Sequence, residues 1–190
     1  MHKFSNTYGG TVEFIEVTEG SEIVCYDAKG NYYGRAFHIN TERLKLKGNH
    51  QMMNVLLRVD SPVIASLKLK RQPWGKVDLD PLTIADVYDI QFTIQQQTPT
   101  ISGLYDDHSA RFRDEFINLI DQQKLGAKLS RLGKKYRDYL SRFHIFTDGE
   151  NIVVKKCNLI RSVDDLENLM SSLRDVAKII EYLSNRHMGV

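Results

Sequence analysis

Residues 143–154 read FHIFTDGENIVV, and the fold of this chain is predicted outward from this stretch. Two runs of β-prone residues flank Asp148-Gly149, the dipeptide that most readily supplies the positive φ angles of a two-residue hairpin turn. With Asp148-Gly149 at the tip, Thr147 pairs with Glu150, and alternation along each strand makes one face apolar. That face comprises Phe143, Ile145, Ile152 and Val154. The stretch therefore predicts a β-hairpin over residues 143–156 that needs a covering element.

A long helix is predicted directly after this hairpin. Ser162, with Asp165 three residues later, resembles the capping box that starts a helix. Apolar side chains then recur at helical spacing over residues 163–185. The stripe comprises Leu166, Leu169, Met170, Leu173, Val176, Ala177, Ile180 and Leu183. Ile179 and Tyr182 widen it beyond what one hairpin face needs. Two alternatives are open: part of this surface meets the helix that contains Phe112 and part a second copy of the chain, or all of it is buried internally.

Residues 1–97 consist of short alternating runs separated by turn residues, which predicts an N-terminal antiparallel β-sandwich or barrel of about seven strands. Lys29-Gly30-Asn31 is predicted to join two of these strands as a hairpin turn. Residues 95–100 read QQQTPT and break the alternation, so we predict the domain boundary there.

Residues 101–190 are predicted to form a second, α+β domain. It combines the hairpin over 143–156 with helices over 107–125, 127–142 and 163–185. Gly126 is predicted to end the first of these helices, and Gly133 to weaken the second by roughly 1 kcal/mol relative to alanine. The predicted fold class is therefore α+β, with a C-terminal helix–hairpin–helix layer after the β-rich half.

The composition excludes a strong electrostatic field over the whole molecule. The 190 residues carry 26 basic and 24 acidic side chains, a formal charge of +2, which does not by itself imply a nucleic-acid or membrane partner. Cys25 and Cys157 are too few for a disulfide framework, so a reducing compartment is expected, with a single bridge between them left open. The chain has no apolar run long enough for a signal peptide or a membrane span, so we expect a soluble, cytoplasmic domain, alone or as part of a larger membrane-associated protein.

A row of basic residues is the clearest candidate binding site in the sequence. If residues 124–142 are helical, five cations fall along one stripe, because offsets of three, four and seven keep them near one azimuth. These are Lys124, Lys128, Arg131, Lys135 and Arg142. Such a stripe contacts either the phosphates of a nucleic acid or an anionic lipid surface. The alternative is a solvated face whose lysine stems cover apolar surface.

Motifs for catalysis or metal binding are absent from the sequence. The six histidines are scattered singly, and no serine or cysteine lies in a nucleophile motif, so no catalytic, cofactor or metal residues are predicted. An enzyme would need a site assembled in space. Trp74, the single tryptophan, lies in a predicted loop, where it either anchors a partner or folds back over the β core.

The order of elements resembles that of uncharacterised soluble domains that accompany transmembrane helices in some prokaryotic membrane proteins. In those domains a strand like residues 89–94 (DIQFTI) precedes a helix like Phe112 to Ile120, a hairpin and a closing helix. The resemblance is one of pattern and implies a non-enzymatic accessory domain. The first hypothesis is thus a non-catalytic protein-interaction or regulatory domain without cofactor; the second is nucleic-acid or anionic-surface binding, and the third an enzyme with a spatially assembled site.

Overall fold

The computed structural model describes residues 2–17, 24–44, 50–69, 83–94, 105–136, 143–160 and 162–188. The strands in these ranges are β1 (Thr11–Val17), β2 (Val24–Tyr32), β3 (Arg35–Leu44), β4 (His50–Arg58), β5 (Val63–Leu69), β6 (Tyr88–Ile94), β7 (His144–Thr147) and β8 (Asn151–Asn158). The helices are α1 (His2–Thr7), α2 (Ile84–Val87), α3 (Tyr105–Gln122), α4 (Leu125–Tyr136) and α5 (Val163–Met188).

All eight strands belong to one antiparallel sheet, in the order β1-β2-β3-β4-β8-β7-β5-β6. The sheet is open, since β1 and β6 form its two edges within the described ranges. The predicted α+β class is therefore confirmed, whereas the sandwich or barrel is not. The reason is physical: alternation marks which side chains are buried, but it does not say whether the strands form one sheet or two.

The core lies between one face of this sheet and the helices. Each described helix contributes a buried side chain to a single apolar cluster. These side chains include Phe4 of α1, Ile84 of α2, Phe112 of α3, Leu129 of α4 and Leu173 of α5. From the sheet come Val55, Leu57, Ala65, Ile145 and Val154, among others. The described part of the protein is thus a two-layer arrangement with its helices on one side.

The hairpin over residues 143–156 is present, with a register that differs from the prediction. Thr147 pairs with Ile152, and the two-residue loop is Gly149-Glu150, in which Gly149 has a φ of 98°. The Asp148 carboxylate accepts hydrogen bonds from the backbone N–H of Glu150 and Asn151 at 3.0 and 2.7 Å, which favours this turn. The observed register differs from the predicted one by two residues, and a shift of two keeps every side chain on the same face of the strand. The predicted apolar face is therefore still the buried one.

The turn between β2 and β3 lies three residues later than predicted. Lys29-Gly30-Asn31 continue β2, and the chain reverses at Tyr33-Gly34, where φ is 49° and 87°. The Asn31 side chain accepts a hydrogen bond from the Gly34 N–H at 2.6 Å. A glycine between two β-prone runs is typical of a turn, but here it marks a close approach between strands.

The final helix, α5, is confirmed and extends to Met188. Its eight predicted stripe residues are all buried, and Ser162 caps its start through its hydroxyl, which accepts from the Asp165 N–H at 3.3 Å. Gly126 does not end α3; it lies buried inside α4, where an added Cβ would be 3.2 Å from Ile84 Cβ. Helix α4 also continues through Gly133.

In the ranges that the structure describes, no helix is both long and apolar enough to cross a membrane.

Candidate functional site

The surplus apolar surface of α5 forms a groove with α3. The groove has a volume of about 340 Å³. It is lined by Leu119 of α3, by Gln123 in the turn that follows α3, and by Asp175, Lys178, Ile179 and Tyr182 of α5. Ile179 is 3% exposed and forms the floor, whereas Tyr182 is 54% exposed and forms the rim. The sequence predicted that Ile179 and Tyr182 lie beyond the hairpin-facing stripe, and the structure places both at the contact between the two helices.

Contacts at the C-terminal end of α5 hold the two walls of this groove in place. The Glu115 carboxylate of α3 accepts a hydrogen bond from the Arg186 guanidinium at 3.0 Å. The same carboxylate lies 3.3 Å from His187 Nε2, and the His187 ring centroid is 5.9 Å from that of Phe112. Because α3 and α5 are joined here, the groove is a feature of the folded core rather than of loose side chains.

The surface around the groove continues across α5 to the β2–β3 turn. The Arg174 guanidinium lies 3.3 Å from the Asp175 carboxylate and 5.1 Å from the ring centroid of Tyr33. Tyr33 is 67% exposed although its ring contacts Tyr8 and Tyr32, with centroids 5.7 and 4.9 Å away. Tyrosine and arginine in this arrangement are the residue types that anchor protein interfaces. Sequence reasoning missed Tyr33, because the turn that exposes it was predicted elsewhere.

A partly buried ion pair between Arg35 and Glu181 holds this side of α5 against the sheet. The Arg35 guanidinium donates two hydrogen bonds to the Glu181 carboxylate, one of them 2.7 Å long. The same carboxylate also accepts a hydrogen bond from the Asp60 N–H at 3.0 Å. Burial acts to raise the pKa of Glu181, but hydrogen bonds from Arg35 and Asp60 outweigh it and lower this pKa. The pair satisfies its own charges, so it holds the helix in position and leaves Tyr33 and Tyr182 as the accessible features.

The predicted basic stripe is only partly assembled in the described residues. Lys124, Lys128 and Arg131 are exposed along the turn before α4 and its outer face. Lys135 is instead paired with Asp165 of α5 at 2.6 Å, and this carboxylate also accepts from the Tyr136 hydroxyl. The hydrogen bond from Lys135 lowers the pKa of Asp165, with a further contribution from Tyr136. Arg142 lies outside the described residues, as does Trp74.

A serine and a histidine meet on the face of the sheet opposite the helices. Ser66 Oγ lies 2.9 Å from His144 Nε2, and burial together with the nearby Lys68 lowers the pKa of His144, which keeps the imidazole neutral at pH 7. A nucleophile also needs an oriented base and a donor pair for a developing oxyanion. The described residues place no carboxylate on His144, so the enzyme hypothesis stays untested and unsupported by this pair.

Neither His38, on this face of the sheet, nor Cys157, in the core between the sheet and the helices, belongs to a larger cluster of titratable groups in the described residues. His38 Nε2 lies 2.8 Å from Asp27 Oδ2, and no group of three or more His, Cys, Asp or Glu side chains could hold a metal ion in the described part of the chain. Cys157 is a free, buried thiol, and burial raises its pKa to about 12, which makes it unreactive.

These observations define the class: in the described residues, the chain is a two-layer α+β protein with an open eight-stranded antiparallel sheet. No protein-family model and no curated protein matches the sequence. The fold is similar to that of the mycobacterial trehalose monomycolate transport factor A, with a TM-score of 0.51 and 10% sequence identity over 94% of this chain and 90% of that one. At this identity the likeness shows the fold alone.

Proposed function

We propose that this protein is a non-catalytic interaction domain that associates with a second copy of itself through the groove between α3 and α5. The observation that carries the proposal is Tyr182, which stays 54% exposed directly above apolar Ile179. An apolar floor with an aromatic rim is typical of the centre of a protein interface, where burial of a tyrosine contributes most of the affinity.

The outer face of α5 favours its own copy as the partner. In a two-fold interface, residue i of one copy contacts residue j of the other, and the reverse holds as well. If two α5 helices pack antiparallel with the axis between residues 176 and 177, Asp175 lies opposite the partner's Lys178, and Ser171 lies opposite the partner's Tyr182. Each contact then occurs twice, pairing a charge with its opposite and a large side chain with a small one.

The test is the solution mass as a function of protein concentration. We expect the wild-type protein to reach the dimer mass in sedimentation equilibrium, and Tyr182→Glu to remain a monomer, because the introduced carboxylate would be buried against Ile179. The matched control is Asn118→Glu, which adds the same charge to an exposed position of α3 beside the groove.

A charge exchange tests the proposed pairing itself. Lys178→Asp should weaken the dimer by placing two carboxylates opposite each other, and the combination of Lys178→Asp with Asp175→Lys should restore it. A wild-type protein that stays monomeric at every concentration, or a Tyr182→Glu variant that dimerises like Asn118→Glu, would contradict the proposal.

A second candidate function is binding to an anionic surface through α4. Its residues carry Lys128, Arg131, Lys134 and Lys135 and no acidic side chain, and Lys128 and Arg131 form no ion pair within the described ranges. This hypothesis predicts retention on heparin that falls steeply with salt and is abolished by Lys128→Glu with Arg131→Glu. The control pair Lys29→Glu with Lys155→Glu makes the same charge change on the sheet. Absence of retention at low salt would exclude this function.

A further inference from the structure

We propose that the outer edge of β6 pairs with the same edge of a second copy of the chain, so that the two sheets join across a two-fold axis. This interface is separate from the groove between α3 and α5 and does not depend on it. Pairing between sheet edges takes its affinity from backbone hydrogen bonds and its register from the side chains that face each other. Three features of β6 support the assignment: a regular edge, outward backbone groups and a sequence that complements itself.

The two edges of the sheet differ in how they are protected. Proteins usually block an edge strand with charges, prolines or a bulge. At β1 the register shifts between Phe14 and Glu16, and two glutamates lie on the strand. In contrast, β6 pairs with β5 over seven consecutive residues without a shift, and Asp89 is its single charged residue. The edge at β6 is therefore a regular template for another strand.

The backbone geometry shows which groups of β6 face outward. The Ala65 N–H donates to Thr147 Oγ1 at 2.7 Å, so the odd-numbered residues of β5 direct their backbone groups toward β7. The even-numbered residues of β5 therefore bond to β6, and their partners there, such as Gln91, point inward. The N–H and C=O groups of Ile90 and Phe92 point away from the sheet, and in the described ranges no strand pairs with them.

The sequence of β6 complements itself when two copies run antiparallel with the two-fold axis at Gln91. Ile90 then lies opposite the partner's Phe92, and the two residues exchange both of their outward backbone hydrogen bonds, twice in the dimer. On the other face of the sheet, Gln91 lies opposite the partner's Gln91, and Thr93 opposite the partner's Asp89. No like charges meet, and this is the register that pairs all seven residues of β6.

The surroundings of the edge leave room for a second strand. A depression of about 690 Å³ runs along it, lined on the helical side by Ile90 of β6 and Ile117 of α3, both partly exposed. Arg113 lines the same side, whereas Lys68 and Asp89 line the depression from the opposite face of the sheet. Because these charges have both signs and lie on two faces, they do not select a charged ligand. The apolar side of the edge decides the occupant.

A second copy supplies an apolar strand that is already ordered. An extended segment of a disordered partner loses conformational entropy when it binds, whereas β6 is held in place by its seven pairs with β5. The two-fold axis also doubles each contact without a new sequence requirement. These arguments favour a second β6 over an unrelated segment.

Disulfide trapping tests the register directly. Residues that face each other in a non-hydrogen-bonded antiparallel pair have Cα atoms about 4.5 Å apart, within the range of a disulfide. We therefore expect Gln91→Cys to form a disulfide-linked dimer under mild oxidation. Thr93→Cys, exposed on the same face of the strand, is the matched control. Its two copies would lie about 14 Å apart, so it should cross-link at least about tenfold more slowly.

The measurement uses the full-length protein carrying Tyr182→Glu, so that the α5 surface does not bring the copies together. The same protein without an added cysteine controls for Cys25 and Cys157. One strand edge is a small interface, so trapping detects the pairing even where the non-covalent dimer is too weak to raise the solution mass.

A second pair of variants tests the outward backbone groups. In the protein with Gln91→Cys, Ile90→Pro removes one outward N–H and no bond to β5, and it should slow cross-linking at least about tenfold. Ile90→Ala shortens the same side chain but keeps the N–H, so it should retain most of the rate. The comparison of Gln91→Cys with Thr93→Cys stands even if Ile90→Pro does not fold.

Several results would overturn the assignment. Equal rates for Gln91→Cys and Thr93→Cys would indicate random collision, and the absence of cross-linking in both would mean that the edges do not meet. Faster linking through Thr93→Cys would exclude the axis at Gln91. An Ile90→Pro variant that links as fast as Ile90→Ala would show that the outward N–H is not used. The solution mass tests the α5 groove separately, so either interface can fail alone.

Discussion

Gly30, in the middle of β2, shows how a missing side chain sets a close approach. A Cβ at this position would lie 2.7 Å from Phe37 Cε1 and 2.8 Å from Gly10 Cα. The Phe37 ring is fixed by an edge-on contact with Phe4, at 5.7 Å between centroids, and the Gly10 atom belongs to the backbone. Neither neighbour can move away without disturbing the core, so contact rather than φ restricts this position to glycine.

Gly30→Ala is expected to lower the free energy of unfolding by about 1–3 kcal/mol through overpacking. Urea denaturation measures the change. Lys29→Ala, at the exposed neighbouring position, should stay within about 0.5 kcal/mol of wild type. Equal midpoints for the two variants would show that β2 relaxes away from Phe37.

The sign of the pKa shift of His144 gives a dependence of stability on pH. Burial and Lys68 lower this pKa in the folded state, so the unfolded chain binds more protons below its own histidine pKa of about 6.5. The stability contributed by neutral His144 is therefore complete above about pH 6.5, and it decreases as the pH falls toward the lowered folded pKa.

His144→Gln is expected to lose less stability than wild type between about pH 7.5 and pH 5. The other histidines titrate in both proteins, so the difference isolates His144. Lys68→Gln should raise the pKa of His144, as followed by NMR of the imidazole resonances. Parallel stability curves for wild type and His144→Gln would contradict the assignment.

At the scale of elements, one carboxylate of α5 contacts two side chains of α4, in addition to the apolar packing between these helices. Asp165, in the first turn of α5, accepts hydrogen bonds from Lys135 and from the Tyr136 hydroxyl. Its position near the helix N-terminus adds a favourable interaction with the helix dipole. This explains why a residue predicted to complete a capping box instead directs its side chain to another helix: two side-chain donors of α4 are within reach.

A double-mutant cycle with Tyr136→Phe and Asp165→Asn should give a coupling energy of about 0.5–1.5 kcal/mol at neutral pH. Because the pKa of Asp165 is lowered in the folded state, the coupling should disappear as the pH falls below its ordinary value of 3.8 and through its lowered one. Additive effects at neutral pH would mean that the hydroxyl and the carboxylate are not coupled.

At the scale of the whole molecule, the chain interleaves its two halves in one sheet. The β7–β8 hairpin, from the C-terminal half, lies between β4 and β5 of the N-terminal half. It pairs with both of them, for example through Leu57 with Ile152 and Leu67 with Ile145. The boundary predicted at residues 98–100 lies outside the described residues and stays a prediction. The topology bears on it, because β4 and β5 of the β-rich half pair with the β7–β8 hairpin of the C-terminal half.

We expect the full chain to unfold in one cooperative transition and the fragment 1–97 to lack a stable fold. Without β7 and β8, the fragment would expose Val55, Leu57 and Ala65, which are fully buried in the complete sheet. Calorimetry of the full chain and circular dichroism of the fragment make the measurement. Two separate transitions, or a folded fragment, would support the predicted division into two domains instead.

The predictions that depend on local sequence pattern agree best with the structure. Alternation identified the buried face of the β7–β8 hairpin, and helical spacing identified the buried stripe of α5. Turn positions were less predictable, as at Gly30 and Asp148, because a glycine or a short polar side chain serves equally in a turn, a close approach or a cap. Of the residues that line the groove, Ile179 and Tyr182 could be predicted from the helical spacing of α5. Leu119 and Gln123 could be assigned to the groove only from the way α3 packs against α5.

The sequence by itself determined the α+β class, the hairpin, the closing helix and the side chains that each element buries, because these follow from periodicities of two and 3.6 residues along the chain. The tertiary structure alone decided the strand order, and with it the open edge at β6, the pairing of Lys135 with Asp165 and the groove beside α5. Each of these depends on which elements become neighbours, and that is set by long-range packing free energy shared among many residues, which no local pattern records.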